Sequence, residues 1–73
     1  MDSMLTGQTL RAIRSLRGLT QRDLAERAGI SPVSLATFEA GKSDMRAGTI
    51  VKLCEAMGVS IVYKIDGTEI SGP

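Results

Sequence analysis

Few side chains in this sequence can do chemistry, and their types narrow the field. There is no histidine, and Cys54 is the only cysteine. General acid–base work at neutral pH would therefore fall to paired carboxylates in a cleft. The acids, from Asp2 to Glu69, are instead scattered along the chain. One thiol without imidazole makes no ordinary zinc site and no internal disulfide. The glycines recur at the spacing of helix ends and form no phosphate-cradling loop. No enzymatic activity, metal or cofactor is expected. What remains is mostly cationic. Residues 11–46 carry seven bases (Arg11, Arg14, Arg17, Arg22, Arg27, Lys42, Arg46) against four acids (Asp23, Glu26, Glu39, Asp44), a net +3 in a chain whose total is +1. A phosphate-bearing partner suits that imbalance, and so does a solvated surface.

The elements that position these groups are punctuated by glycine. Gly18, Gly29, Gly41 and Gly58 each follow a stretch of helical spacing, as expected of residues that close helices in the left-handed conformation. Four stops predict four helices. The first runs from Thr6 to Arg17, with Leu10, Ile13 and Leu16 taken as its inward face. The second is capped by Thr20, with Asp23 three residues on in the manner of a capping box, and turns Leu24, Ala25 and Ala28 inward. Ser31-Pro32 starts a third, which runs to about Ala40 with Leu35 and Phe38 inward. A fourth spans roughly Arg46 to Met57, with Ile50, Leu53, Cys54 and Met57 apolar. Cys54 reads as a small buried hydrophobe. After Val59 the period changes to two, which predicts a strand over Val59–Ile65, a turn at Asp66-Gly67 and a short return.

Only Gly29-Ile30-Ser31 separates the second helix from the third. That is too short for antiparallel packing, so the third helix projects at an angle, as in a helix-turn-helix. From Leu10 to about Val59 the chain resembles the Cro/C1-type, or Xre, helix-turn-helix regulators. The matching pieces are Leu19-Thr20-Gln21, Leu24-Ala25, Ala28-Gly29-Ile30-Ser31, Phe38-Glu39-Ala40-Gly41-Lys42, Thr49-Ile50, Leu53 and Met57-Gly58-Val59. The resemblance implies an all-α, lambda-repressor-like bundle of four to five helices, here with a short C-terminal strand or hairpin, and commonly a dimer on a near-palindromic DNA site. It places Gln21 and Lys42 against backbone phosphates, with Arg22 and Arg46 as neighbours by proximity. It sets Ser31, Pro32, Val33, Ser34 and Thr37 on the face that reads base edges, and pairs Arg14 with Glu39 between the first and third helices. The reading face departs from a strong reader. It has no Arg, Lys, Asn or Gln for bidentate base contacts. Val33 suits a thymine methyl, and Ser34 or Thr37 suits a single hydrogen bond. Groove shape and phosphate contacts would then carry more of the specificity.

Three divisions follow: a flexible N-terminus (1–5), the helix-turn-helix unit (6–58) and a tail (59–73). A hairpin alone is barely stable in water. The tail therefore pairs with a second copy, packs on its own helices, or offers an edge to another protein, with Val59, Ile61, Val62, Tyr63 and Ile65 as its interface residues. Two functions fit. One is a DNA-binding regulator, most simply a dimeric repressor that occludes a promoter. The other is a protein-binding module of the same fold, an antiactivator or an antitoxin-like protein acting on a toxin. No apolar run is long enough to span a membrane and no secretory signal is legible, so a cytoplasmic location is expected.

Overall fold

The computed structural model describes residues 5–60 and the backbone of 62–65 and 68–71. Helices α1 (Gly7–Leu16), α2 (Gln21–Ala28), α3 (Pro32–Glu39) and α4 (Ala47–Met57) are followed by strands β1 (Val62–Ile65) and β2 (Thr68–Ser71). The architecture is the lambda-repressor-like all-α bundle, carrying a C-terminal hairpin.

Local chemistry sets each helix boundary. Thr6, Thr20 and Ser31 each accept a first-turn N–H through the side-chain oxygen. Thr20 and Asp23 form the full reciprocal box, at 3.0 and 3.2 Å. The Thr20 N–H bond holds the Asp23 carboxyl below its ordinary range. At the far end of α2, Gly29 takes φ +71°. Its N–H donates to the Glu26 carbonyl at 3.3 Å and the next N–H, of Ile30, to Ala25 at 3.0 Å. This paired closure satisfies two carbonyls that the helix leaves open, and it sends Ile30 back towards the core. The same pair of bonds ends the other three helices, placing Leu19, Lys42 and Val59 in the position of Ile30.

The core is Leu10, Leu24, Ala25, Leu35, Phe38, Ile50, Leu53, Cys54 and Met57, all at most 4% exposed. Burying a leucine of this kind stabilises by about 1.5–3 kcal/mol. Helix α2 lies against both α3 and α4, and α1 against α3. Leu5, Ile13, Leu19, Ile30, Met45 and Val59 pack half-buried around this cluster, so Leu5 joins the core from within the N-terminal arm.

Leu16 corrects the expected face of α1, because it is 87% exposed. Each i to i+3 step falls about 60° short of a full helical turn. Leu10 faces the core, Ile13 sits at its margin and Leu16 is carried out of it. Arg14, four residues after Leu10, falls nearer the core face than Leu16 does.

Val59 and Ser60, expected to open the strand, lie outside it, and the described strand residues are Val62–Ile65. The Val59 N–H is already spent on the Cys54 carbonyl at 2.9 Å, closing α4. Strands β1 and β2 pair antiparallel, with Val62 opposite Ser71 and Ile65 opposite Thr68. The expected Asp66-Gly67 turn and Ile61 lie outside the described residues.

Gly7 was assigned no role from the sequence, yet it sets the approach of α1 to α3. It is buried. A Cβ there would overlap the Phe38 carbonyl oxygen and stand 2.7 Å from its carbon and 2.9 Å from Glu39 Cα. Gly48, in the first turn of α4, has open space around it. Thermal unfolding should therefore give opposite signs. Gly7→Ala should destabilise by about 3 kcal/mol, the upper end for overpacking, out of a total of roughly 4–11 kcal/mol for a chain of this size. Gly48→Ala should stabilise by about 0.5–1 kcal/mol.

Candidate nucleic-acid interface

Helix α3 is held at one end and free at the other. Its last residue, Glu39, is buried, with a side chain only 2% exposed. Arg14 Nε donates to Glu39 Oε2 at 2.7 Å and Nη2 to Oε1 at 2.8 Å, a two-pronged pair. Arg14 Nη1 donates to the Leu19 carbonyl at 2.7 Å, and Gln21 Nε2 donates to Glu39 Oε1 at 3.0 Å. One carboxylate thus ties α1, the start of α2 and the end of α3, and Arg14 holds the link between α1 and α2 as well. Burial pushes the Glu39 carboxyl up. The bonds from Arg14 and Gln21, with the charges of Arg14 and Arg11, outweigh it and hold the group below its ordinary range. The bond to Glu39 raises Arg14 in turn.

The opposite end of α3 stands in solvent. Ser31, Pro32, Val33 and Ser34 are exposed, Val33 at 73%. Thr37 is half-buried. Beside them opens a cleft of about 580 Å³ between α3, the loop after it and the start of α4. Val33, Ser34, Thr37 and Arg46 line it together. Sequence reasoning missed its other walls, Ile30, Ser43, Asp44, Met45 and Thr49. An apolar Met45 inside an otherwise polar loop was the available signal.

The remaining assigned residues are placed as follows. Arg22 and Lys42 are exposed. Arg46 is exposed at the N-cap of α4, which it does not bond through its side chain. Gln21 is half-buried, and its bond to Glu39 uses one of two amide hydrogens, leaving the second for another acceptor. Of the tail residues, Val59 packs half-buried on the core, Val62, Tyr63 and Ile65 lie in β1, and Ile61 is not described. Cys54 is buried, and burial pushes its thiol up, away from the reactive thiolate. Among the described residues no His, Cys, Asp or Glu group is disposed to hold a metal ion, and no helix is long and apolar enough to cross a membrane.

A capped three-residue turn that presents the exposed start of a short helix defines a helix-turn-helix protein. The helix-turn-helix family model matches residues 10–64, and the chain belongs to that family, of the Cro/C1 type. It is 32% identical over 65 residues to a helix-turn-helix-type transcriptional regulator of Sinorhizobium fredii, covering 89% of this chain and 84% of that protein. It is 31% identical over 67 residues to multiprotein-bridging factor 1 of Eremothecium gossypii, covering 92% of this chain but 44% of that one. Among solved structures it is similar to a restriction-modification controller protein of Aeromonas hydrophila. The TM-score is 0.71 and the identity 32%, over 73% of this chain and 80% of that one.

Removing one partner of the Arg14–Glu39 pair should cost about 3 kcal/mol, because the other charge is left buried and alone. Arg14→Met/Glu39→Leu together should cost less than either single change. A double variant melting far below both singles would contradict this account. Because the Glu39 pKa is depressed on folding, its contribution is present above the unfolded carboxylate value of about 4.3. It is lost as pH falls through the lower folded value. Melting curves from pH 7 to pH 3 should show that loss in the native protein, and less of it in the double variant.

Proposed function

We propose that this chain is a sequence-specific DNA-binding regulator that acts as a dimer on a near-palindromic site and represses by occluding a promoter. The observation that carries the reading is the free amino-terminal half of α3, held proud of the core by a buried anchor at its other end. A helix so mounted can enter the major groove while its neighbours meet the backbone. Lys42, Arg22 and Arg46 take the phosphate role, and the second amide hydrogen of Gln21 is suited to the same purpose. Ser31, Pro32, Val33, Ser34 and Thr37 face the bases. The face has few strong contacts, so linking two half-sites about 34 Å apart supplies affinity that one copy lacks. The hairpin, through Val59, Ile61, Val62, Tyr63 and Ile65, is the proposed joint between copies. The proposed division of labour is an N-terminal arm over 1–5, the reading unit over 6–58 and the joint over 59–73, in the cytoplasm.

The second reading is a protein-binding module that sequesters another regulator or a toxin. It is favoured by the absence of any bidentate base reader on α3 and by the likeness to a protein named for bridging other proteins.

A salt titration separates the two. Binding to the DNA upstream of the chain's own gene should show log K falling with log salt at a slope of roughly −4 to −7, near −0.9 per neutralised phosphate. Lys42→Ala, at an exposed residue outside the core, should weaken all duplexes alike and make the slope shallower by about 1. Micromolar or weaker binding without preference over random DNA would overturn the regulator reading in favour of the protein module.

A further inference from the structure

We infer that α3 discriminates DNA sequences chiefly through pyrimidine 5-methyl groups, thymine foremost, with Val33 as the residue that reads them. This rests on the DNA-binding reading above and narrows it. Two of the three hydroxyls on the reading face already hold one bond within the helix, which narrows what they can offer a base. Thr37 Oγ1 donates to the Val33 carbonyl at 2.8 Å, so its one proton is unavailable to a base. The single hydrogen bond expected of Thr37 from the sequence would then be one that its oxygen accepts. Ser31 Oγ accepts from the Val33 N–H at 3.2 Å and serves as the cap. Ser34 is left as the one hydroxyl of the three whose side chain makes no bond to another described residue.

What the face does present is apolar. Val33 is 73% exposed, next to the Pro32 ring, and Ile30, Val33 and Met45 supply apolar wall to the adjoining cleft. No Arg, Lys, Asn or Gln occurs from Ile30 to Phe38. The cations stand to the side, at Lys42 in the loop and Arg46 at the α4 cap. In the major groove a base pair offers hydrogen-bonding edges and, at thymine, a methyl group. A surface limited to single hydroxyls, with no bidentate donor or acceptor between Ile30 and Phe38 and with an exposed valine, gains most from the last of these. Burying the methyl against Val33 removes two apolar surfaces from water together. A misplaced hydrogen-bonding base edge against the same valine would lose its water and gain no partner. Attraction to thymine and rejection of polar edges therefore act in one direction.

The test begins with selection of duplexes by the native protein from a random pool. The enriched duplex is then remade with deoxyuridine replacing thymidine, one position at a time, which deletes only the 5-methyl group. Each contacted position should lose about fourfold in affinity, and paired positions in two half-sites about fifteenfold. Val33→Ala, a change at an exposed residue that leaves the core intact, should bind the thymidine and deoxyuridine duplexes equally. Placing 5-methylcytosine at a position where the native protein tolerates cytosine next to Val33 should strengthen binding by a similar factor. Native protein indifferent to deoxyuridine at every position would overturn the inference and leave DNA binding standing. So would a deoxyuridine penalty that persists undiminished in Val33→Ala. A protein that enriches no duplex takes both readings down.

Discussion

The Glu39 carboxylate receives three N–H bonds, two from Arg14 on α1 and one from Gln21 on α2, and every functional statement about α3 depends on that junction. The apolar cluster would hold the helices together without it, since five large side chains are fully buried there. An apolar cluster is non-directional, however, and tolerates small rotations. A planar guanidinium on a carboxylate is directional and tolerates few. Desolvation offsets much of the attraction, so the gain lies less in stability than in a single angle for α3. Gly7 acts on the same corner. Its missing side chain lets α1 meet the α3 backbone at Phe38 and Glu39, beside the carboxylate that Arg14 holds. The carboxy-terminal end of α3 is thereby fixed by close approach and by charge. The amino-terminal end is left to meet a partner.

Much of this was legible in the sequence, because caps and closures are local. Thr20 with Asp23, Ser31 with Pro32, and the glycines ending each helix state the boundaries within a few residues, and the structure keeps them. The Arg14–Glu39 pair came from family likeness, since residues 25 apart share no local signal. Misreadings arose where the decisive fact was three-dimensional. Leu16 satisfied a spacing of three but not the rotation of the helix. The resemblance offered Gln21 only a phosphate role, and its half-buried bond to Glu39 depends on how α3 returns past it. Gly7 carries no pattern that distinguishes a required glycine from a tolerated one. The alternating tail announced a strand, but its first residue, Val59, was already claimed by the closure of α4.

The same backbone device is used for two ends in this fold. After Gly18, Gly29 and Gly58 the following residue is Leu19, Ile30 or Val59, each half-buried against the core, so that closing the helix also anchors the chain. After Gly41 the following residue is Lys42, and it is exposed. Its N–H still closes α3, at 3.1 Å to Thr37, so nothing is lost from the helix end. The side chain that would have been an anchor instead places a cation just beyond the carboxy-terminal end of α3. A helix of eight residues owes its persistence to packing rather than to its own propensity. Leu35 and Phe38 already supply that packing, which frees the closing position to carry charge. Buried anchors and exposed side chains thus occupy different residues of one short segment. Substitutions on the exposed outer face can change its chemistry without loosening the packing that holds the helix.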